Sequence, residues 1–301
     1  MKSKELEIKK KEDFADGIFR LFDTLHEESA RYILAGSKQH LSVHELRKNI
    51  KKIRGILRLI RHDIGHARYH ELNAAYREIA QQLAVLRDDT SQIELLEGMQ
   101  KNVNDKAIKR TIGKAIRQIE QKRKTEFENF YRQNKHNAVC NDILLRWTEI
   151  RELELSGNPD LFILKSLKRI HKRARSAMES SGFLKIDEIY HYWRKQVKYL
   201  MYQLNVLNLA WPTYFNVYIK ELNKLSDMLG DLHDLNLLNE HVNNDTLIVL
   251  KPQQKQMILN FIYRRRSILK KRIEKAGNIL FSENSKAFSL RIHEIWVNSK
   301  E

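Results

Sequence analysis

Leu46, Ile50, Ile53, Leu57 and Ile60 follow one another at intervals of 4, 3, 4 and 3 residues, the period of one face of a helix rather than the alternation of a strand. The same series returns 147 residues later as Trp193, Val197, Leu200, Leu204 and Leu207. Helical periodicity predicts segments near residues 6–35, 43–64, 70–86, 90–99, 106–133 and 139–155. After a break it predicts a second set near 161–180, 189–209, 214–230, 235–242, 254–281 and 286–297. Breaks fall at Gly36-Ser37, Gly65, Arg87-Asp88-Asp89 and residues 102–105. The strongest is Ser156-Gly157-Asn158-Pro159, where Gly can end a helix and Pro suits the first turn of the next. The expected fold class is therefore all-α: two pseudo-symmetric antiparallel four-helix-type bundles from an internal duplication, covering residues 1–157 and 158–301.

Composition agrees with that class. Three Pro and ten Gly in 301 residues are too few turn-formers for an all-β protein, and 42% hydrophobic residues supply material for two cores. A length of 301 residues also matches two domains of ordinary size. The single cysteine, Cys140, cannot form an internal disulfide or a zinc cluster. The amino terminus lacks the apolar core of a signal peptide and no run of about 18 apolar residues occurs, so a cytoplasmic protein without membrane attachment is expected.

The polar positions between the apolar ones repeat as well. His44-x-x-Arg47-Lys48-x-x-Lys51 is matched by His191-x-x-Arg194-Lys195-x-x-Lys198. At about 100° per residue these offsets fall on one side of a helix, opposite the apolar set. Lys52, Arg54 and Arg58 widen the first strip, and Tyr202 lies one turn further along the second. Residues 189–210 contain no acid and residues 43–62 only Glu45, which is expected to point sideways from the stripe. Ordinary solvated helix faces mix charges, because like charges at i, i+4 cost a few tenths of a kcal/mol each. Two strips that accept such repulsion call for a counter-charge from outside, and a formal net charge of +17 points the same way.

Two further elements accompany the strips. Leu83-Ala84-Val85-Leu86-Arg87-Asp88 aligns with Leu229-Gly230-Asp231-Leu232-His233-Asp234 at an offset of 146. Asp88 and Asp234 are expected to cap a following helix or to hold a neighbouring cation in place. A third strip, Lys165, Lys168, Lys172 and Arg175, shares one helical face, although Glu179 continues that face with an acid.

Taken together, the two histidine strips and the elements after them resemble the CHAD family, the conserved histidine α-helical domain, over nearly the whole chain. The resemblance implies two helical bundles with basic helices facing a central groove, and binding of inorganic polyphosphate, often at polyphosphate granules. It assigns ligand contact to His44, Arg47, Lys51, Lys52, Arg54 and Arg58 in the first strip, and to His191, Arg194, Lys195, Lys198 and Tyr202 in the second. Lys48, Lys165, Lys168, Lys172 and Arg175 join them on charge and position. Lys stands at 51 and 52 where Arg is common, which keeps charge but loses bidentate geometry. Met201 replaces a usual basic residue before the Tyr.

The residues themselves favour the same ligand class. A phosphate polymer offers regular negative charge with no bases to read, whereas sequence-specific nucleic-acid binding would need base-edge readers or exposed aromatics for stacking. Tyr190, Tyr192, Tyr199 and Tyr202 around the second strip keep an RNA-binding helical protein as the alternative. A basic scaffold for acidic protein partners is a third reading, with no particular feature behind it. Catalysis is not expected. Glu5-x-Glu7-x-Lys9 mimics the ExExK signature of triphosphate tunnel enzymes, but it lies in a Lys/Glu-rich stretch of helical character. His44 and His191 have Lys or Arg at i+3 and i+4, where a metal site would need ligands, so neither metal nor cofactor is expected.

Overall fold

The computed structural model describes residues 6–34, 39–84, 86, 88–184, 186–244, 246 and 251–300; the side chains of 39–41, 88–91 and 102 are not described. The described residues are all-α, with no strand. The helices are α1 (Phe14–Leu34), α2 (Gln39–Leu59), α3 (His66–Gln82), α4 (Asp88–Asn102), α5 (Lys106–Arg132), α6 (Lys135–Arg151), α7 (Pro159–Leu184), α8 (Asp187–Val206), α9 (Pro212–Asn243), α10 (Pro252–Leu280) and α11 (Ser285–Asn298). All three prolines of the chain open a helix, where a missing N–H costs nothing. Asp105 and Asn284 cap α5 and α11 by accepting hydrogen bonds from the first backbone N–H groups.

In the first half α1 packs on α2 and α6, and α3 closes the ring against α2 and α6. In the second half α7 packs on α8, α10 and α11, and α9 packs on α8 and α10. The α4–α5 hairpin stands beside the first ring; α4 leans on α9, where Gln92 and His241 meet at 3.2 Å. The two halves join where α2 packs against α8 and α7.

The apolar pattern read from the sequence accounts for the buried faces of α2 and α8, opposite their basic strips. All ten repeated apolar positions of α2, α8 and the turns that follow them are at most 1% exposed. Burying each contributes roughly 1.5–3 kcal/mol before the entropy of ordering is subtracted. Two separate cores were expected, but the buried residues form one continuous cluster. The halves share it where Gly55 of α2 meets Tyr202 of α8, and where Phe14 of α1 packs on Phe162 of α7 and Trp296 of α11.

Two other expectations fail locally. Residues 6–13 are not helical: Leu6 and Ile8 are buried, the Ile8 N–H donates to the Val206 carbonyl at 3.1 Å, and Arg20 donates to the Glu7 carbonyl. Lys11 takes a positive φ of 72°, and Asp13 starts α1 by accepting from the N–H of Ala15. The predicted break near residue 230 is also missing, since α9 runs unbroken through Gly230.

Candidate functional site

α2 and α8 approach each other at Gly55, where a Cβ would lie 2.8 Å from the Tyr202 Cβ. Only a residue without a side chain permits that spacing. Beside this crossing a cleft of about 550 Å³ opens between the halves. Its wall carries His44, Lys48, Lys51 and Lys52 from α2, Arg194, Lys198 and Tyr202 from α8, and Lys220 from α9. Among the described lining residues, six Lys or Arg side chains face one carboxylate, Asp227, whose Oδ2 accepts from Asn223 at 3.0 Å.

Arg47, Arg54 and Arg58 lie outside this wall and, like Arg194 within it, hold the helices that build it. Arg47 donates to the Ala80 carbonyl of α3 at 2.9 Å, and its counterpart Arg194 donates to the Ser226 carbonyl of α9 at 3.2 Å. Each ties a basic helix to the next one. The guanidinium of Arg194 lies against Gly230, where a Cβ would sit 3.1–3.4 Å from it. The unbroken α9 therefore keeps its glycine for close packing and not for a turn. Arg54 donates to Asn73 of α3 at 3.1 Å, and Arg58 donates to the Arg54 carbonyl and stacks 3.7 Å from the Tyr199 ring centroid.

Electrostatic crowding runs through the junction. Burial, and then the charges of Lys195, the His233 ring, Arg194 and Lys51, hold the His191 imidazole down at about 4. His191 does not line the cleft, and its Nδ1 is buried without a hydrogen-bond partner among the described residues. Lys195 is pushed below its ordinary value by burial and by Arg54 and Arg77; Arg54 is lowered chiefly by burial, with Arg58 adding to it.

Several sequence expectations change on contact with the geometry. Glu45 does not point away from the stripe: its Oε1 pairs with Lys48 at 2.8 Å, because three residues along a helix bring the two chains together. Tyr202 is only 6% exposed, and Tyr190 and Tyr199 are buried too, leaving Tyr192 as the open ring of the four. The third strip does not reach the cleft. Lys165, Lys168 and Lys172 are exposed on α7, and Arg175 bonds to Glu179 at 2.9 Å and to the Glu283 carbonyl. Asp234 cannot cap a following helix, since it lies inside α9; burial first, and then Asp234 and Asp227, raise the pKa of Asp231. Asp88 is the first residue of α4 and its side chain lies outside the described residues. In Glu5-x-Glu7-x-Lys9, Glu5 lies outside them too, while Glu7 accepts from Asn208 at 2.8 Å.

Lys220, Asn205, Asn216 and Asn223 line the cleft and were not anticipated. Lys220, Asn223 and Asp227 are spaced 3 and 4 apart in the sequence, so one face of α9 was legible, but nothing along the chain says which helix that face meets.

No helix among the described residues is long and apolar enough to cross a membrane, and no group of three or more His, Cys, Asp or Glu among them could hold a metal. Comparison of the sequence with known families gives one match, to a family described as the CHAD domain, over residues 18–243. No curated protein matches the chain.

Proposed function

The chain belongs to the CHAD domain family, and from that premise we propose that it binds inorganic polyphosphate, without turnover, in the cleft between α2 and α8. The observation that carries this reading is the convergence of His44, Lys48, Lys51, Lys52, Arg194, Lys198 and Lys220 on one cleft from three helices of two halves. An extended polyanion laid along it would meet positive charge from both sides and replace the repulsion among those groups with attraction. Lysines suit a polymer that offers point charges in series and no planar group to clamp. His191, neutral in the unliganded protein, gains a proton more easily once an anion lies beyond Lys51 and Arg194. Residence at polyphosphate granules would follow from this binding.

RNA is the competing ligand. It fits less well, because stacking needs open aromatic faces and three of the four tyrosines near the strip are buried. The test compares Lys52→Gln/Lys198→Gln with Arg264→Gln/Arg265→Gln, which removes equal charge elsewhere. Long-chain polyphosphate should bind the first variant roughly tenfold or more weakly and the second almost as tightly as the parent. Equal losses would mean diffuse attraction and no site. Preference for RNA over polyphosphate of matched charge would replace the reading.

A further inference from the structure

A second cluster of cations lies at the far end of α2, and it shares no lining residue with the cleft. Arg58 and Arg61, at the end of α2 and just beyond it, face Arg169 and Arg173 of α7 around a recess of about 10 Å³ that Ser166 and Gln203 complete. Arg61 is 6% exposed, an unusual depth for a charge. Among the described residues none of Arg61, Arg169 and Arg173 has a carboxylate within ion-pair distance, and the Arg169 Nε is buried without a hydrogen-bond partner. What surrounds them is aromatic: Arg61 lies 4.5 Å and Arg58 5.9 Å from the Tyr69 ring centroid. Burial, followed by mutual repulsion, lowers the affinity of Arg61 and Arg169 for their protons, and burial and the same charges lower that of His62.

Tyrosine faces and the negative end of α2 offset part of this cost, each by about 1 kcal/mol or less. The end of α2 supplies Arg58 with one acceptor, the Arg54 carbonyl, and Tyr69 offers Arg61 a ring face rather than an acceptor. A buried cation without an acceptor is costly, and a folded protein ordinarily pairs it. The side-chain oxygen of Gln203 is also buried without a partner. Turning that amide over would present its NH2 to the recess, at little steric cost because the two ends are nearly the same size.

We infer that Arg58, Arg61, Arg169 and Arg173 form a second anion site, separate from the cleft, that takes a single phosphate oxyanion. The recess itself has room for about one water-sized group, so one phosphate oxygen enters it while the others stay at its mouth among the arginines, and the ligand is free orthophosphate or the terminal phosphate of a chain. The chain-end form rests on the polyphosphate reading above; the orthophosphate form does not.

The test is thermal unfolding of the full chain at matched ionic strength, in chloride alone and with inorganic phosphate. The parent should gain on the order of 2 °C or more in Tm with phosphate. Arg169→Gln/Arg173→Gln should unfold in chloride no earlier than the parent, because like charges have been removed, and should lose the phosphate-dependent gain. Lys52→Gln/Lys198→Gln should keep that gain even where it no longer binds polyphosphate, which separates failure of the cleft from failure of this site. The single variant Arg173→Gln, at an exposed position, repeats the measurement with the least risk to folding. Half-saturation by tripolyphosphate at a lower concentration than orthophosphate assigns the chain end; equal values assign the free ion. A phosphate gain that is absent from the parent, or unchanged in the Arg169→Gln/Arg173→Gln variant, overturns the inference.

Discussion

Replacing Gly55 by alanine tests the contact on which the cleft is built. A Cβ there would lie 2.8 Å from the Tyr202 Cβ, 3.1 Å from its Cδ2 and 3.3 Å from its Cγ. Both Cβ atoms are fixed to their backbones, so no rotamer relieves the first clash, and α2 and α8 must part by about 0.6 Å to reach ordinary contact. Overpacking of this kind costs about 1–3 kcal/mol. Removing a glycine from a helix returns about 1 kcal/mol. The cost wins narrowly, leaving Gly55→Ala destabilised by about 0–2 kcal/mol, or a Tm lower by up to about 6 °C in a chain of this size. Gly182 in α7 is the internal reference, since a Cβ there meets nothing within 4 Å. Gly182→Ala should stabilise by about 0.5–1 kcal/mol. Urea denaturation of the two variants side by side measures the difference directly. If Gly55→Ala stabilises as much as Gly182→Ala, α2 and α8 do not cross at this spacing and the cleft is not framed as described.

Gly230→Ala should act on ligand and not on fold: a Cβ displaces the Arg194 guanidinium, so polyphosphate affinity falls several-fold while Tm stays within about 2 °C of the parent. His26 supplies a pH dependence. Burial, opposed by its contact with the Phe22 carbonyl, holds its imidazole at about 4, against 6.5 in the unfolded chain. Because the folded value is the lower one, the unfolded state binds the proton first. Stability is complete above about pH 6.5 and falls as pH drops towards 4, by on the order of 2–3 kcal/mol from this group. His171 is held at about 4 by burial as well and acts in the same window. Denaturation midpoints at pH 7.5 and 4.5 should show the fall, and it should shrink in His26→Gln.

The sequence carried the apolar half of this architecture almost completely, because a core-facing helix must repeat at 3.6 residues and both copies of α2 and α8 do. It also named seven of the residues that line the cleft, since basic side chains on one helical face are visible from spacing alone. What it lacked was the identity of the facing helix. Arg47 and Arg54 lie in the same stripe as Lys51, yet they turn to the carbonyl of Ala80 and the side chain of Asn73 on α3. The stripe is wider than the cleft, and its flank belongs to helix packing. Arg169 and Arg173 escaped for the converse reason. Lys165, Arg169 and Arg173 are spaced four apart, a face as regular as the Lys165, Lys168, Lys172 and Arg175 series, and only the packing of α7 on α2 distinguishes them. Tyr202 lines the cleft as its place on the second strip implied, but its burial was not legible, because periodicity gives the direction of a side chain and not the closeness of a neighbour, which Gly55 sets.

The salt dependence of polyphosphate binding tests the central claim most directly. Among the described residues six Lys or Arg side chains line the cleft, and each phosphate neutralised on a single-stranded polyanion contributes about 0.7 to the slope of log K against log salt. The expected slope is about −4, a loss of roughly 300-fold in affinity between about 50 and 200 mM salt. In Lys52→Gln/Lys198→Gln the slope should become shallower by about 1.4, and in Arg264→Gln/Arg265→Gln it should not change. A slope indifferent to the cleft lysines but reduced by loss of Arg264 and Arg265 would contradict the account.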